Sequence, residues 1–146
     1  MAQATYEDVN LILKLYELRR EEKMREARQW FVANFYASSP EEANQVAPPG
    51  SGMQAYFRMV TSYWDMAASF VTSGVLNQEL FFQSGGELLL VWERVRALAP
   101  LQREAFKNPR LWKNLETVGN AYAAYMGEEA HRAFAERLGK PPQKQK

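Results

Sequence analysis

The stretch SGMQAYFRMVTSYWDMAASFVTS, residues 51–73, decides the fold of this chain. Ser51 and Gln54 form a capping-box pattern, which satisfies free amide groups at the start of a helix. Apolar residues then recur every three or four positions on one broad face, and Gly74 follows as a C-terminal stop. The pattern predicts a central core helix. Its apolar positions are Met53, Tyr56, Phe57, Val60, Tyr63, Trp64, Ala67, Phe70 and Val71.

The segment before this helix predicts one long N-terminal helix over residues 5–37. Thr5 serves as its cap, Asp8 stands at the third helical position, and neither glycine nor proline interrupts it. At 1.5 Å per residue, such a helix is about 50 Å long. Its middle, residues 17–28, is mostly charged with mixed sign. We therefore expect it to extend beyond the core of its own domain or to cross between two bodies.

The whole chain is predicted to be all-α, a helical bundle with one long N-terminal helix and about five shorter helices. Ser39-Pro40 and Asn108-Pro109 mark two of the helix starts, because each pairs a capping residue with a first-turn proline. No alternating pattern of β-branched residues predicts a sheet. We expect residues 1–139 to form a single helical domain and residues 140–146, which include lysine and two prolines, to be a disordered basic tail.

Composition excludes several classes of function. The net charge is only +1, so lysine and arginine are not in the excess that phosphate binding requires. We therefore expect no nucleic-acid partner. The absence of cysteine excludes disulfides and cysteine-ligated metals. No apolar run approaches the ~20 residues of a membrane span. Residues 1–8 do not resemble a secretory signal, and we expect a cytoplasmic protein.

Part of the chain resembles a family of uncharacterised bacterial all-helical proteins, a domain of unknown function. The resemblance covers residues 64–116 and implies an all-helical fold and a bacterial source. Some relatives of this kind carry a membrane helix ahead of the domain. The family brings no known activity or catalytic residues. The similar positions are Trp64-Asp65-Met66-Ala67-Ala68, Val71, Gly74-Val75-Leu76, Trp92, Arg103, Asn108-Pro109-Arg110-Leu111 and Leu115-Glu116.

One pair of residues has the spacing of a metal-binding motif. Glu128 and His131 form Glu-x-x-His on a predicted helix, as in di-iron bundles. Those sites need two such motifs, and His131 is the only histidine in the chain. A solvated helix face is therefore the better interpretation. His131 also lacks a nucleophile in a recognisable motif, so the sequence predicts no metal, cofactor or catalytic residue and favours a protein that is not an enzyme.

The preferred functional hypothesis is a protein-interaction or scaffold module that self-associates through its long N-terminal helix. Such a helix outreaches a compact body of this length, whose radius of gyration is about 15 Å. The far end of the helix still carries Trp30, Phe31 and Phe35, which require burial either under the later helices or against a second chain. We therefore expect a homo-oligomer, for example a dimer. The predicted interface residues are Tyr16, Arg20, Lys23, Ala27, Trp30 and Phe31.

The alternative hypothesis is a small-molecule-binding or sensor domain with an apolar pocket beside the central helix. Asp65 would be its polar anchor, because a carboxylate within an apolar helix is costly to bury without a partner. The sequence favours a structural interpretation of Asp65, as an ion pair or an edge position that fixes helix packing, with Arg58, Arg94 or Arg103 as the partner if it faces inward. The predicted pocket residues are Tyr63, Trp64, Asp65, Met66 and Trp92.

Overall fold

The computed structural model describes residues 3–138, which form nine helices and no strand. The all-α prediction is confirmed, but the helices are more numerous and shorter than predicted. The tail predicted at residues 140–146 lies outside the described residues. The helices are α1 (Tyr6–Arg19), α2 (Glu22–Asn34), α3 (Pro40–Val46), α4 (Gly52–Thr72), α5 (Gln78–Phe82), α6 (Gly86–Val95), α7 (Ala99–Ala105), α8 (Lys113–Met126) and α9 (Glu128–Leu138).

The prediction of one long N-terminal helix is wrong, because the chain breaks between α1 and α2 at Arg20 and Glu21. The Glu21 carboxylate accepts a hydrogen bond from Met24 N at 3.0 Å and so caps α2. Burial explains the break. Leu15 and Met24 are both buried, yet nine residues at about 100° each would place them on opposite faces of one continuous helix. Two helices allow both side chains to reach the same core.

The central core helix is confirmed as α4. Ser51 caps it by accepting a hydrogen bond from Gln54 N at 3.1 Å. Helices α2 and α8 pack along α4, and α6 packs against α8. Aromatic rings fill the space between α2 and α4, where the Phe35 ring lies 5.1 Å from that of Phe31 and 4.6 Å from that of Phe57. The core therefore lies around α4.

A buried arginine ties α6 to the end of α2. The Arg94 side chain donates through Nη1 to three carbonyl oxygens at the C-terminal end of α2, at 3.0 to 3.2 Å. Nη2 donates to Tyr36 Oη at 2.9 Å, and Nε donates to Leu138 O at 2.6 Å. Burial lowers the pKa of Arg94. Its guanidinium is the donor for Phe35 O. It adds a second donor to Phe31 O and Val32 O, which also accept from Phe35 N and Tyr36 Oη.

Candidate functional site

The structure separates the six predicted interface residues by exposure: three are exposed, two are fully buried and one is partly buried. Tyr16, Arg20 and Lys23 are exposed. Ala27 and Phe31 are 0% exposed, because α2 packs directly on α4. These two residues belong to the core of the domain, so the prediction that they form a surface contact is corrected.

Trp30, the sixth of these residues, is partly buried. Its ring lies 6.2 Å from the Phe35 ring and 6.3 Å from the Tyr56 ring. Of the two alternatives for this end of the helix, later helices or a second chain, the domain's own helices supply the cover.

An apolar stripe remains open on the outer side of α1. Tyr6 is 89% exposed, and Val9, Leu13 and Tyr16 are 41%, 54% and 46% exposed. Their spacing of three, four and three residues places them along one side of the helix. We call these four residues the α1 face. The opposite side of α1 carries the buried Asp8 and Leu15 and packs on the core, so the α1 face is the apolar side of the helix that remains uncovered.

Polar contacts at both ends of α1 fix the orientation of the α1 face. Asp8 Oδ2 accepts a hydrogen bond from Thr5 N at 2.7 Å, and Oδ1 accepts one from Asn77 N at 2.8 Å. The backbone amides of Thr5 and Asn77, in that order, lower the pKa of Asp8. Toward the other end, Tyr63 Oη donates to Leu15 O. Burial raises the pKa of Tyr63 to about 12.

A small apolar groove of about 280 Å³ adjoins the α1 face. Leu13 and Tyr16 belong to both, and Trp64 and Phe81 line the groove from the core side. The Arg19 guanidinium lies 4.9 Å from the Tyr16 ring and 5.6 Å from the Trp64 ring. Trp64 Nε1 is buried and has no hydrogen-bond acceptor among residues 3–138. The groove extends the apolar surface of α1 toward the core.

A larger cavity of about 570 Å³ lies on another side of α4. The aromatic rings of Phe35, Phe57 and Trp112 contribute to its walls, and α3 and α7 also border it. Arg58 and Asp65 stand on its α4 side, seven positions apart. The cavity therefore joins a mostly apolar enclosure to two groups of opposite charge.

Asp65 is half-buried, and its contacts differ from the predicted ion pair. Its Oδ1 accepts a hydrogen bond from Leu115 N, at the start of α8, at 3.0 Å. Burial raises the pKa of this carboxyl group, against the smaller lowering effects of the Leu115 amide and of Arg103. Arg103 itself pairs with Glu116, with Nη2 and Oε1 3.2 Å apart.

Neither of the other two arginines named as a partner pairs with Asp65. Arg94 binds the end of α2, and Arg58 stays exposed at the cavity. Within the described part of the chain, Asp65 has no ion-pair partner. One backbone amide and the neighbouring Arg103, which pairs with Glu116, compensate its charge only in part, because burial still raises its pKa.

The five predicted pocket residues are not brought together. Tyr63 and Trp64 line the small groove, Asp65 lines the cavity, and Met66 is 39% exposed and lines neither. Trp92 is buried against α8 and donates from Nε1 to Asn120 Oδ1 at 3.0 Å. Consecutive helical residues are about 100° apart, so the four positions 63–66 are spread around α4 and do not all reach one pocket.

The Glu-x-x-His motif is divided between two contacts. His131 Nε2 lies 2.6 Å from Glu93 Oε1 and links α9 to α6. Glu128 instead accepts a hydrogen bond from Arg132 at the exposed end of α9. Among residues 3–138, no three histidine or acidic side chains are grouped to hold a metal ion. The motif's contacts are those of a helix-to-helix link and a solvated pair.

Residues 4–122 match the family described as Domain of unknown function (DUF4760), and the chain belongs to this family. The resemblance seen in the sequence is confirmed, and the match extends from α1 through much of α8. No curated protein and no solved structure matches the chain. None of the helices in the described range is long and apolar enough to cross a membrane.

Proposed function

We propose that this protein is a self-associating interaction module and that the α1 face is its contact with a second copy. The observation that carries the proposal is the exposed apolar stripe on a helix whose other side is anchored to the core. Single exposed apolar residues are ordinary, but a continuous stripe is typical of an interaction surface. The contact surface thus becomes α1 alone rather than the whole N-terminal region.

The spacing of the α1 face supports pairing with an identical helix. Steps of three and four residues are those of a coiled-coil seam. In an antiparallel pair, a two-fold axis through the middle of the stripe sets Tyr6 against Tyr16 and Val9 against Leu13. Each chain then presents the same surface to the other, as a closed dimer requires.

Charge at the two ends of α1 favours the antiparallel arrangement. Glu7 is exposed in the first turn, and the Arg20 guanidinium lies at the other end, 5.5 Å from the Tyr16 ring. Antiparallel helices bring the acidic end of one copy toward the basic end of the other, and they also oppose the helix dipoles. A parallel pair would place like charges together.

The size of the surface sets the expected strength. The 14 residues of α1 span about 21 Å, which is small for a protein interface. We therefore expect a concentration-dependent dimer with a Kd of roughly 10 to 100 μM. Such a dimer dissociates on dilution, so its detection requires measurement over a wide range of protein concentration.

The test is sedimentation velocity of the wild type and of Leu13→Glu at increasing concentration. The wild type should shift from monomer to dimer, and Leu13→Glu should stay monomeric because it places a charge in the seam. Met66→Glu is the matched control, since Met66 is also exposed and apolar but lies on α4. A wild type that remains monomeric to ~1 mM, or equal loss of the dimer in Met66→Glu, would overturn the proposal.

Small-molecule binding is a second candidate function, and the cavity of about 570 Å³ is the observation that favours it. This volume lies within the range of small-molecule sites, which combine apolar walls with a few polar groups. The candidate site is on the Asp65 side of α4 rather than among Tyr63, Trp64, Met66 and Trp92. A bound ligand would appear as a reproducible added mass in native mass spectrometry of freshly purified protein.

We also propose that the protein acts in the cytoplasm without a nucleic-acid partner. The net charge of +1 supports the absence of a nucleic-acid partner, and the lack of cysteine suits a reducing compartment such as the cytoplasm. The bacterial source rests on the resemblance described above. A filter-binding assay at low salt tests the first point, because a nucleic-acid-binding protein would retain labelled DNA or RNA under those conditions.

A further inference from the structure

We propose that the cavity beside α4 binds an organic amine with an apolar body and that Asp65 holds the ammonium group. This inference rests on the second candidate function and is independent of self-association. It assigns a ligand class to a cavity whose walls come from α3, α4, α7, the residue after α2 and the turn before α8.

The state of the Asp65 carboxylate is the first argument. It is half-buried at the cavity, Oδ1 accepts one hydrogen bond from Leu115 N, and no described residue forms an ion pair with it. A carboxylate removed from water needs compensation for its charge. An ammonium group entering the cavity would supply both an opposite charge and hydrogen-bond donors.

The hydroxyl groups next to Asp65 provide the second argument. Thr61 Oγ1 donates to Phe57 O at 2.9 Å, and Ser62 Oγ donates to Arg58 O. Each hydroxyl has a single proton, so these two oxygens have only lone pairs left for a ligand. Both residues line the cavity with Asp65. This part of the wall therefore accepts hydrogen bonds, which suits an ammonium group and does not suit a carboxylate.

The aromatic walls suit the rest of the ligand. The Phe57 ring meets the Trp112 ring edge-on, with centroids 5.8 Å apart, and Phe35 lies 4.6 Å from Phe57. These rings bury an apolar body, and aromatic faces also attract organic cations.

Arg58 argues for an amine rather than an anion. It lies seven positions before Asp65 on α4, about 10 Å along the helix axis, and it is exposed. An anion paired with Arg58 would lie in solvent, where ion pairs contribute little. Asp65 is half-buried and Thr61 is buried, so the less exposed part of the polar wall is the part around these two residues.

The test compares three probes of nearly the same shape: 2-phenylethylamine, 2-phenylethanol and 3-phenylpropionate. Each is titrated at pH 7 into the full chain labelled with ¹⁵N, and amide shifts are followed by NMR. The amine should shift the Leu115 and Trp112 amides and bind about tenfold more tightly than the alcohol or the acid, a difference of about 1.4 kcal/mol.

Two variants at the same cavity separate the effects of charge from those of shape. Asp65→Asn keeps an oxygen for the Leu115 amide but removes the charge, so amine affinity should fall about tenfold while alcohol affinity is unchanged. Arg58→Gln is the matched control, and it should leave amine affinity unchanged or slightly higher because it removes a cation from the cavity.

The outcomes distinguish failure of the amine proposal from failure of the proposed small-molecule-binding function. Equal binding of the three probes, or amine affinity that is unaltered in Asp65→Asn, keeps a small-molecule site and overturns the amine. Tighter binding of 3-phenylpropionate that is lost in Arg58→Gln overturns it in favour of an anion. If no probe shifts any cavity amide at ~10 mM, both the amine and the small-molecule function fail.

Discussion

Helices α1 and α2 are adjacent in the sequence, but they differ in how far their apolar side chains are buried. In α2 the apolar residues Met24, Ala27 and Phe31 are buried, and Arg94 satisfies the carbonyl groups at its end. In α1 the α1 face remains exposed along the whole helix. Apolar spacing thus shows which side chains favour burial, but it does not show whether the same chain or another one covers them.

The two helices should differ most in how much the free energy of unfolding falls when an apolar side chain is replaced by alanine. Phe31→Ala should lower the free energy of unfolding by about 4 kcal/mol, because it empties a fully enclosed site in the core. Leu13→Ala should change it by less than ~0.5 kcal/mol while weakening the dimer. Urea denaturation followed by circular dichroism measures both, at a concentration where the protein is monomeric. Similar costs for the two variants would contradict the assignment of α2 to the core and α1 to the surface.

Loss of the Arg94 contacts should have the next largest effect. Arg94→Met keeps much of the volume but removes the donors for the carbonyls at the end of α2, for Tyr36 and for Leu138. We expect a loss of about 3 kcal/mol in urea denaturation, because the buried Phe35 O would remain without a donor and the other acceptors would lose a charged one.

The matched control is Arg96→Met, directly after α6, where the side chain is exposed and pairs with Glu93. It should cost less than ~1 kcal/mol. Equal losses in the two variants would mean that the burial of Arg94 does not determine its contribution.

The anchoring of α1 should depend on pH. The pKa of Asp8 in the folded chain lies below its ordinary value of 3.8, so its ionised form stabilises the fold above that value. This contribution is lost as the pH falls through the lowered folded pKa. Asp8→Asn should therefore be less stable than the wild type at pH 6, with a difference that shrinks as the pH falls below about 4. A difference independent of pH would show that the Asp8 charge does not anchor α1.

Parts of the fold could be predicted from local sequence because local forces determine them. The α4 helix combines a serine cap with unbroken apolar spacing, and both signals lie within the helix itself. The break at Arg20 and Glu21 could not be predicted from helix propensity, since both residues are compatible with a helix. The available signal is the spacing of the two apolar residues. Leu15 and Met24 both require burial, but one continuous helix would place them on opposite faces.

The candidate site was less predictable, because it depends on which helices surround each side of α4. Asp65 is placed at the cavity by α7 and α8, and its neighbours Trp64 and Met66 point elsewhere. Arg94 carried a usable signal, since it is an isolated charge on the apolar side of a helix. Its partners, carbonyl groups at the end of α2, have no signature in the sequence.

Disulfide formation between introduced cysteines tests association through the α1 face most directly, because the chain itself contains no cysteine. Two variants, Val9→Cys and Leu13→Cys, are mixed under mild oxidation, with Met66→Cys as the control for random collision. An antiparallel α1 pair sets position 9 of one copy against position 13 of the other, within the reach of a disulfide. If α1 pairs antiparallel, the mixed dimer should form much faster than either homodimer or any Met66→Cys product. Homodimers that outpace the mixed dimer would contradict the antiparallel pair, and rates no higher than the Met66→Cys control would contradict association through the α1 face.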